Sequence, residues 1–226
     1  MLFYALLCSS IKFEWIVSDM KKTIWDWYAP FYRQSMLPDK KAYQWMYDRI
    51  SHVVKDKTVL EIATGPGLIA KHIAFAAKSI TATDYSADMI KEAQKDIYPE
   101  NLTFEIADAT CLPYANQSFD VVIIANALHI MEHSDKALQE IRRVLKNGGM
   151  LIAPNFVNHA EVNTLWKAFL KIVGVSFKHH WTEETYPQYL ESQGWKTKFT
   201  KTIMVRLPLC YVECTEKCEE LCLTSC

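Results

Sequence analysis

Three carboxylates in this chain sit at or just past the end of short apolar runs: Glu61 in TVLEI, Asp84 in SITATD and Asp108 in LTFEIAD. Between the first run and the helix-like GLIAKHIAFAA lies a turn with two glycines, Gly65 and Gly67, where a ligand can come very close to the backbone. GPGLIA fits the dinucleotide pattern G-x-G-x-x-A in form. Two details pull the turn away from a pyrophosphate. Glu61 would repel phosphate, and suits a cationic or zwitterionic ligand. Nothing basic lies near the turn until Lys71. Asp84 is placed to accept both hydroxyls of a ribose, which either nucleotide reading requires. Asp108 is placed to accept the amino group of an adenine. Each acid also has a plain structural reading: Glu61 as a cap for backbone amides, Asp84 as a turn acid, Asp108 as an Asx-turn residue. All three fall after strands at one edge, which a single crevice explains better than three separate turns.

Other side chains are candidates for proton transfer, cofactor cover or metal binding. His129, in NALHIME, lies just past the fourth strand on the crevice side, and its ordinary pKa suits removal of a proton from an acceptor oxygen or nitrogen. It could equally shape the loop by bonding a backbone carbonyl. Tyr28, Phe31 and Tyr32 belong to an aromatic segment suited to covering a cationic cofactor. Five of the seven cysteines, Cys210, Cys214, Cys218, Cys222 and Cys226, recur every four residues. On a helix that spacing shares one face and could hold a soft metal. An appendage with oxidisable thiols accounts for it better, so no metal site is assigned.

The elements that position these groups follow from periodicity. TVLEIA, SITATDYS, LTFEIADA, FDVVIIANAL and MLIAPNFV read as strands, and FDVVIIANAL is apolar almost throughout, as when both faces of a sheet are covered. GLIAKHIAFAAK, SADMIKEAQKDI and SDKALQEIRRVL read as helices. Ser86 is expected to cap the second of these, Ser134 or Asp135 the third, and KNGG to stop the third. Strands alternating with helices predict an α/β, doubly wound and mostly parallel sheet. WKTKFTKTI and MVRLPLCYVEC then suggest an antiparallel hairpin at the sheet edge.

With 226 residues, half of them hydrophobic, the chain suits one α/β domain with additions. A formal charge of −1 leaves no electrostatic footprint for nucleic acid. The run Leu2 to Cys8 is too short to span a membrane, and with no secretion signal the expected location is cytoplasmic.

The motifs VLEIATGPG, ITATDYSADMIKEA, LTFEIADATCLPYANQSFDVVIIANALHI and ALQEIRRVLKNGGMLIAPN, taken in order, resemble those of class I S-adenosylmethionine-dependent methyltransferases, closest to the small-molecule branch of ubiquinone/menaquinone-biosynthesis enzymes. The resemblance covers roughly residues 23 to 212 and departs from the family at Ala63, where glycine is usual. It implies a Rossmann-like, seven-stranded sheet and S-adenosyl-L-methionine as cofactor. It implies that Glu61 and the backbone of Ala63, Thr64 and Gly65 meet the methionine moiety, and that Gly67 permits close approach. It implies that Asp84 takes the ribose, Tyr85 and Met89 lie against the adenine, and Asp108 and Ala109 meet its edge. Asn126, Ala127 and Leu128 would floor the pocket near the sulfonium, with Tyr28 in a segment folded over it.

The expected organisation is an N-terminal extension over 1–19, with Met20 an alternative start, and one methyltransferase domain over 20–212. Within that domain, 20–52 would form a helical lid, 53–157 the cofactor-binding core, and 158–212 the acceptor side and last strands. A Cys-rich tail would follow over 213–226. The acceptor is expected to be small and partly apolar, such as a quinone, phenol or lipid head group, walled by Trp166, Phe169, Leu170 and Phe177. The rival readings are an NAD(P)-dependent oxidoreductase, disfavoured by the lack of a Tyr-x-x-x-Lys relay, and a non-catalytic S-adenosylmethionine- or metal-binding protein.

Overall fold

Apolar side chains that alternate along a strand fill two cores only if helices cover both faces of the sheet. The computed structural model describes residues 26, 29, 30, 40–158, 177–204 and 207–217, and it has that arrangement. Strand β1 (Thr58–Ile62) pairs in parallel with β2 (Ser79–Asp84) on one side and β4 (Phe119–Ile124) on the other. Outside these lie β3 (Leu102–Ile106), parallel to β2, and β5 (Leu145–Ile152), parallel to β4. The remaining strands are β6 (Asn155–Phe156), β7 (Trp195–Ile203) and β8 (Leu209–Glu216). The order is β3-β2-β1-β4-β5-β8-β6, and β8 runs antiparallel to β5, β6 and β7.

Helices α1 (Lys40–Val53), α2 (Leu68–Ile73) and α3 (Ala87–Ala93) cover one face of the sheet, and α4 (Ser134–Val144) and α5 (Thr185–Ser192) the other. Val59, Val121 and Ile123 pack towards Met46, Ile50, Ile73 and Ile90, whereas Leu60, Ile62, Val122 and Ile124 pack towards Leu138, Ile141 and Leu190. Asp26, Ala29 and Pro30, in the expected lid, are helical.

The described sheet has eight strands where seven were expected. Pro154 has no N–H to donate to a ladder, so the expected strand MLIAPNFV divides into β5 and the short β6, both against β8. KNGG does not stop α4 as a loop. It lies within β5, where a register shift between Phe119 and Val121 absorbs it. Helix α2 ends six residues in, and the Asn101 Nδ2 amide takes the carbonyls of Ala74 and Ala77 at 2.8 and 3.0 Å.

The cysteine ladder is not a helix where it is described. Cys210 and Cys214 are fully buried in β8, which runs to Glu216, past the expected boundary at 212. Cys218, Cys222 and Cys226 lie outside the described residues, as do the extension over 1–19 and Trp166, Phe169 and Leu170. Among the described residues no helix is long and apolar enough to cross a membrane.

Candidate functional site

The strand order reverses between β1 and β4, and the crevice at such a switch point, outside the carboxyl ends of the strands, is where open α/β sheets bind ligands. The turn after β1 enters it with three left-handed residues: Ala63 (φ 55), Gly65 (φ 56) and Gly67 (φ 75). At Gly67 a Cβ would lie 2.7 Å from the Phe104 ring, so glycine is required there twice over, by backbone and by packing. Ala63 carries the steric cost of a left-handed L-residue. Ala63→Gly is therefore expected to stabilise the fold by about 0.5–1 kcal/mol in urea unfolding, the left-handed penalty less the extra chain entropy glycine brings to the unfolded state.

The Thr64, Gly65 and Gly67 amides of the turn are engaged internally. The Thr64 N–H donates to the Thr83 carbonyl at 2.9 Å, and the Gly67 N–H to the Thr64 carbonyl at 3.0 Å. The Gly65 N–H donates to Asp84 Oδ2 at 2.8 Å. The other Asp84 oxygen accepts from the Ser86 N–H at 2.9 Å, so Asp84 ties the first turn to the second. What the turn leaves open are chiefly acceptors, beside the Thr64 hydroxyl, which is also buried and unpartnered and can serve either way. Glu61 is 1% exposed, with its Oε2 unpartnered, and the Oδ1 of Asn126 is likewise buried and unpartnered. Burial pushes the Glu61 carboxyl up to about 8, against the opposing effects of the Thr64 hydroxyl and the Ala70 amide; Asp84 adds to the rise. Burial likewise raises Asp84 to about 6, opposed by the Ser86 and Gly65 amides, with Asp26 reinforcing the rise. Two desolvated carboxyls and a free amide oxygen make a site for a cation.

Residues 60–153 match the family model of a methyltransferase domain. The chain is 36% identical over 103 residues to a demethylmenaquinone methyltransferase of Renibacterium salmoninarum, an overlap of 46% of this chain and 43% of that one. It is 33% identical over 96 residues to the ubiquinone/menaquinone biosynthesis C-methyltransferase UbiE of Desulfotalea psychrophila, covering 42% and 39%. The matched region thus spans less than half the length of these relatives. Among solved structures, the DhpI complex with S-adenosylhomocysteine superposes at a TM-score of 0.66 with 22% identity, over 85% of this chain and 93% of that one. A methyltransferase of Aquifex aeolicus superposes at 0.59 with 15% identity, over 75% and 89%. These two likenesses bear on the fold. Residues 60–153 carry a methyltransferase domain.

The open acceptors at this edge suit a ligand that carries positive charge. Around the crevice, the methyltransferase fold brings most of the expected residues to one edge. Met89 is buried, and its sulfur is the nearest atom to a Cβ built on Gly65, at 3.9 Å. Tyr85 is 46% exposed beside it. Ser86 caps α3, accepting from the Met89 N–H at 3.1 Å, and its hydroxyl bonds the Asp26 carboxylate. Asp108 is exposed, and its Oδ1 accepts from the Thr110 N–H and hydroxyl, the Asx-turn geometry that was its plain reading. Ala109 beside it is buried, as are Ala127 and Leu128. Asn126 is left-handed (φ 52), gives its N–H to the Pro154 carbonyl at 2.8 Å and bonds the Tyr43 hydroxyl through Nδ2 at 3.3 Å. Tyr28 lies outside the described residues.

On the other side of β4, His129 is buried between the edges of Phe156 and Phe177, with ring centroids 5.8 and 4.6 Å away. Its carbonyl accepts the Lys178 and His179 N–H groups, which fastens the segment that follows residue 176 to the crevice. His179 stacks on Trp181 and Trp181 on Tyr189, whose hydroxyl meets that of Ser134 at 2.7 Å. His133 takes the N-cap position of α4 without a side-chain cap bond. Two contributors had no signal in a single sequence, Asn155 against His129 and Tyr43 against Asn126.

Proposed function

We propose that the protein transfers a methyl group from S-adenosylmethionine to a small, partly apolar acceptor, with a hydroquinone ring as the favoured class. The observation that carries the cofactor half is the pair of buried, unpartnered acceptor atoms, Glu61 Oε2 and Asn126 Oδ1, beside a turn whose Thr64, Gly65 and Gly67 amides are engaged elsewhere. A pyrophosphate needs donors; a sulfonium and an ammonium need acceptors. In this reading Glu61 and the turn receive the amino-acid end, Asp84 the ribose, Tyr85 and Met89 the base with Asp108 and Ala109 at its edge, and Asn126 to Leu128 the floor. The acceptor half rests on the aromatic surround of His129 and on the quinone-type acceptors in the relatives' names.

When bound, the cofactor supplies a methyl group already activated by the positive charge on sulfur. The residues of the chain then have to orient the acceptor and exclude water, and alignment supplies much of the rate. On a hydroquinone, the attacking ring carbon gains the methyl as the methyl–sulfur bond breaks and gives up its proton to water as the ring rearomatises, and an imidazole accepting a hydrogen bond from the adjacent hydroxyl enriches that carbon. His129 is placed for this, with Phe156 and Phe177 keeping the surround apolar. Calorimetry with S-adenosylhomocysteine and NAD, followed by turnover of radiolabelled S-adenosylmethionine with reduced demethylmenaquinone, tests the proposal. Binding of the first nucleoside alone and labelled quinone product are expected. NAD binding in preference, or binding without turnover, would favour the rivals.

Cofactor binding is also expected to expel protons. Unliganded Glu61 is largely protonated below about 8, and a cation beside it favours the carboxylate. Affinity for S-adenosylhomocysteine should therefore rise with pH from 6 towards 8 and then level. Calorimetry at pH 7 in phosphate and in Tris should differ by the buffer enthalpy of up to about one proton released. Glu61→Gln should abolish the difference. Equal enthalpies in the two buffers for the native chain would refute the coupling.

A further inference from the structure

We propose that Asn155 is a positioning residue that fixes the tautomer of His129, so that the ring presents an unprotonated Nε2 to the methyl acceptor. The inference rests on the reading of His129 as the group that meets the acceptor. It starts from the amide. Asn155 is 1% exposed, and its Nδ2 donates to the Phe156 carbonyl at 3.3 Å, which turns its Oδ1 towards the imidazole. Oδ1 lies 2.7 Å from His129 Nδ1. An amide oxygen only accepts, so Nδ1 must carry the proton. A neutral imidazole has one proton, so Nε2 is left with its lone pair.

The imidazole is neutral because both partners are buried and no carboxylate faces it among the described residues. Its titratable neighbour there is His179, a cationic influence, and burial with that neighbour holds His129 down at about 4 against the Asn155 bond. The choice of amide over carboxylate matters. A carboxylate against Nδ1 would favour the imidazolium, which has no lone pair to offer. An amide fixes the same orientation and leaves the ring uncharged.

The placement of Asn155 follows from the strand break. Pro154 interrupts the ladder with β8, and pairing of Asn155 with Cys210 restores it one residue later. The Pro154 carbonyl takes the Asn126 N–H, so residues 154 and 155 hold Asn126 on the cofactor side and His129 on the acceptor side.

The test is nitrogen-15 long-range correlation spectroscopy of the imidazoles in the full chain, with His129 assigned by loss of its signals in His129→Gln. The native protein should show the Nδ1–H tautomer at pH 7, and an Nε2–H tautomer would overturn the proposal whatever the variants do. Asn155→Leu should shift the ring towards the Nε2–H form and lower kcat with reduced demethylmenaquinone on the order of 10–100-fold, with KM for S-adenosylmethionine little changed. An unaltered tautomer in a folded Asn155→Leu protein would overturn it. Asn155→Asp keeps the shape and should convert a kcat profile flat from pH 6 to 8 into one that rises with pH, as the imidazolium it stabilises gives up its proton. A flat profile in that variant would count against the proposal. If His129→Gln keeps native kcat while the tautomer shift in Asn155→Leu is seen, orientation by Asn155 stands and the acceptor role of His129 falls.

Discussion

Asp84→Ala is expected to weaken S-adenosylhomocysteine binding by about 1.5–3 kcal/mol, on the order of 10- to 150-fold, the range for hydrogen bonds to a charged acceptor. Two losses combine in that figure. In the proposed site the ribose would lose its carboxylate, and the Gly65 and Ser86 amides lose the oxygens that hold the two turns together. Asp84→Asn separates them. An asparagine can still accept from one amide but offers one acceptor oxygen where the carboxylate has two, so it should recover part of the affinity. Asp108→Ala is the comparison, since Asp108 is proposed to meet only the edge of the base. Asp108 is exposed and already bonded to Thr110, so its loss should cost far less. Calorimetry at fixed pH and ionic strength reads all three. If Asp84→Ala bound as the native chain does, the crevice would not be a ribose site and the cofactor assignment of this edge would fail.

The parts of this site that were legible in the sequence depend on local order. β1 to β4 are apolar runs between turn residues, and Glu61, Asp84 and Asp108 follow at or past their ends, so their common edge could be read from strand and helix alternation. The left-handed turn was legible through Gly65 and Gly67, and Ser86 through its capping position. Parts that depend on distant pairing were not. Asn155 looks like an ordinary residue of the apolar strand MLIAPNFV; its meaning comes from β8, more than 50 residues on, and from the break at Pro154. KNGG resembles a helix stop, and only the register of β4 against β5 turns it into a bulged strand entry. The cysteine spacing was misleading for a simpler reason. Four residues take a helix just past one full turn, and in a strand four is two full pleats, so Cys210 and Cys214 share a face in either geometry. The period alone could not choose between them, and the antiparallel partner β7 does.

The same dependence on distant partners governs the second large effect. Arg49 on α1 donates through Nε and Nη2 to the two oxygens of Glu213 on β8, at 2.7 Å each, across 164 residues of sequence. Tyr211 donates to the same carboxylate at 2.8 Å, and the Arg49 guanidinium lies 4.8 Å from the Phe199 ring centre. Glu213 is 2% exposed. Removing its cation leaves a desolvated carboxylate, and Arg49→Leu is expected to lower stability by about 3 kcal/mol, the low end for a broken buried pair because the arginine side chain is itself 35% exposed. Urea unfolding followed by far-ultraviolet circular dichroism measures it as a lowered midpoint with little change in slope. The double variant Arg49→Leu, Glu213→Leu should be less destabilised than Arg49→Leu alone, because the orphaned charge has gone. Should the double variant be the worse of the two, packing rather than charge would be what the pair supplies. The consequence reaches the crevice because α1 also carries Tyr43, bonded to Asn126, and Tyr47, whose hydroxyl feels the Glu61 carboxylate. The ion pair thus fixes to β8 the helix that holds Tyr43 against Asn126, and part of the cost of Arg49→Leu should be recovered when S-adenosylhomocysteine is present at saturation.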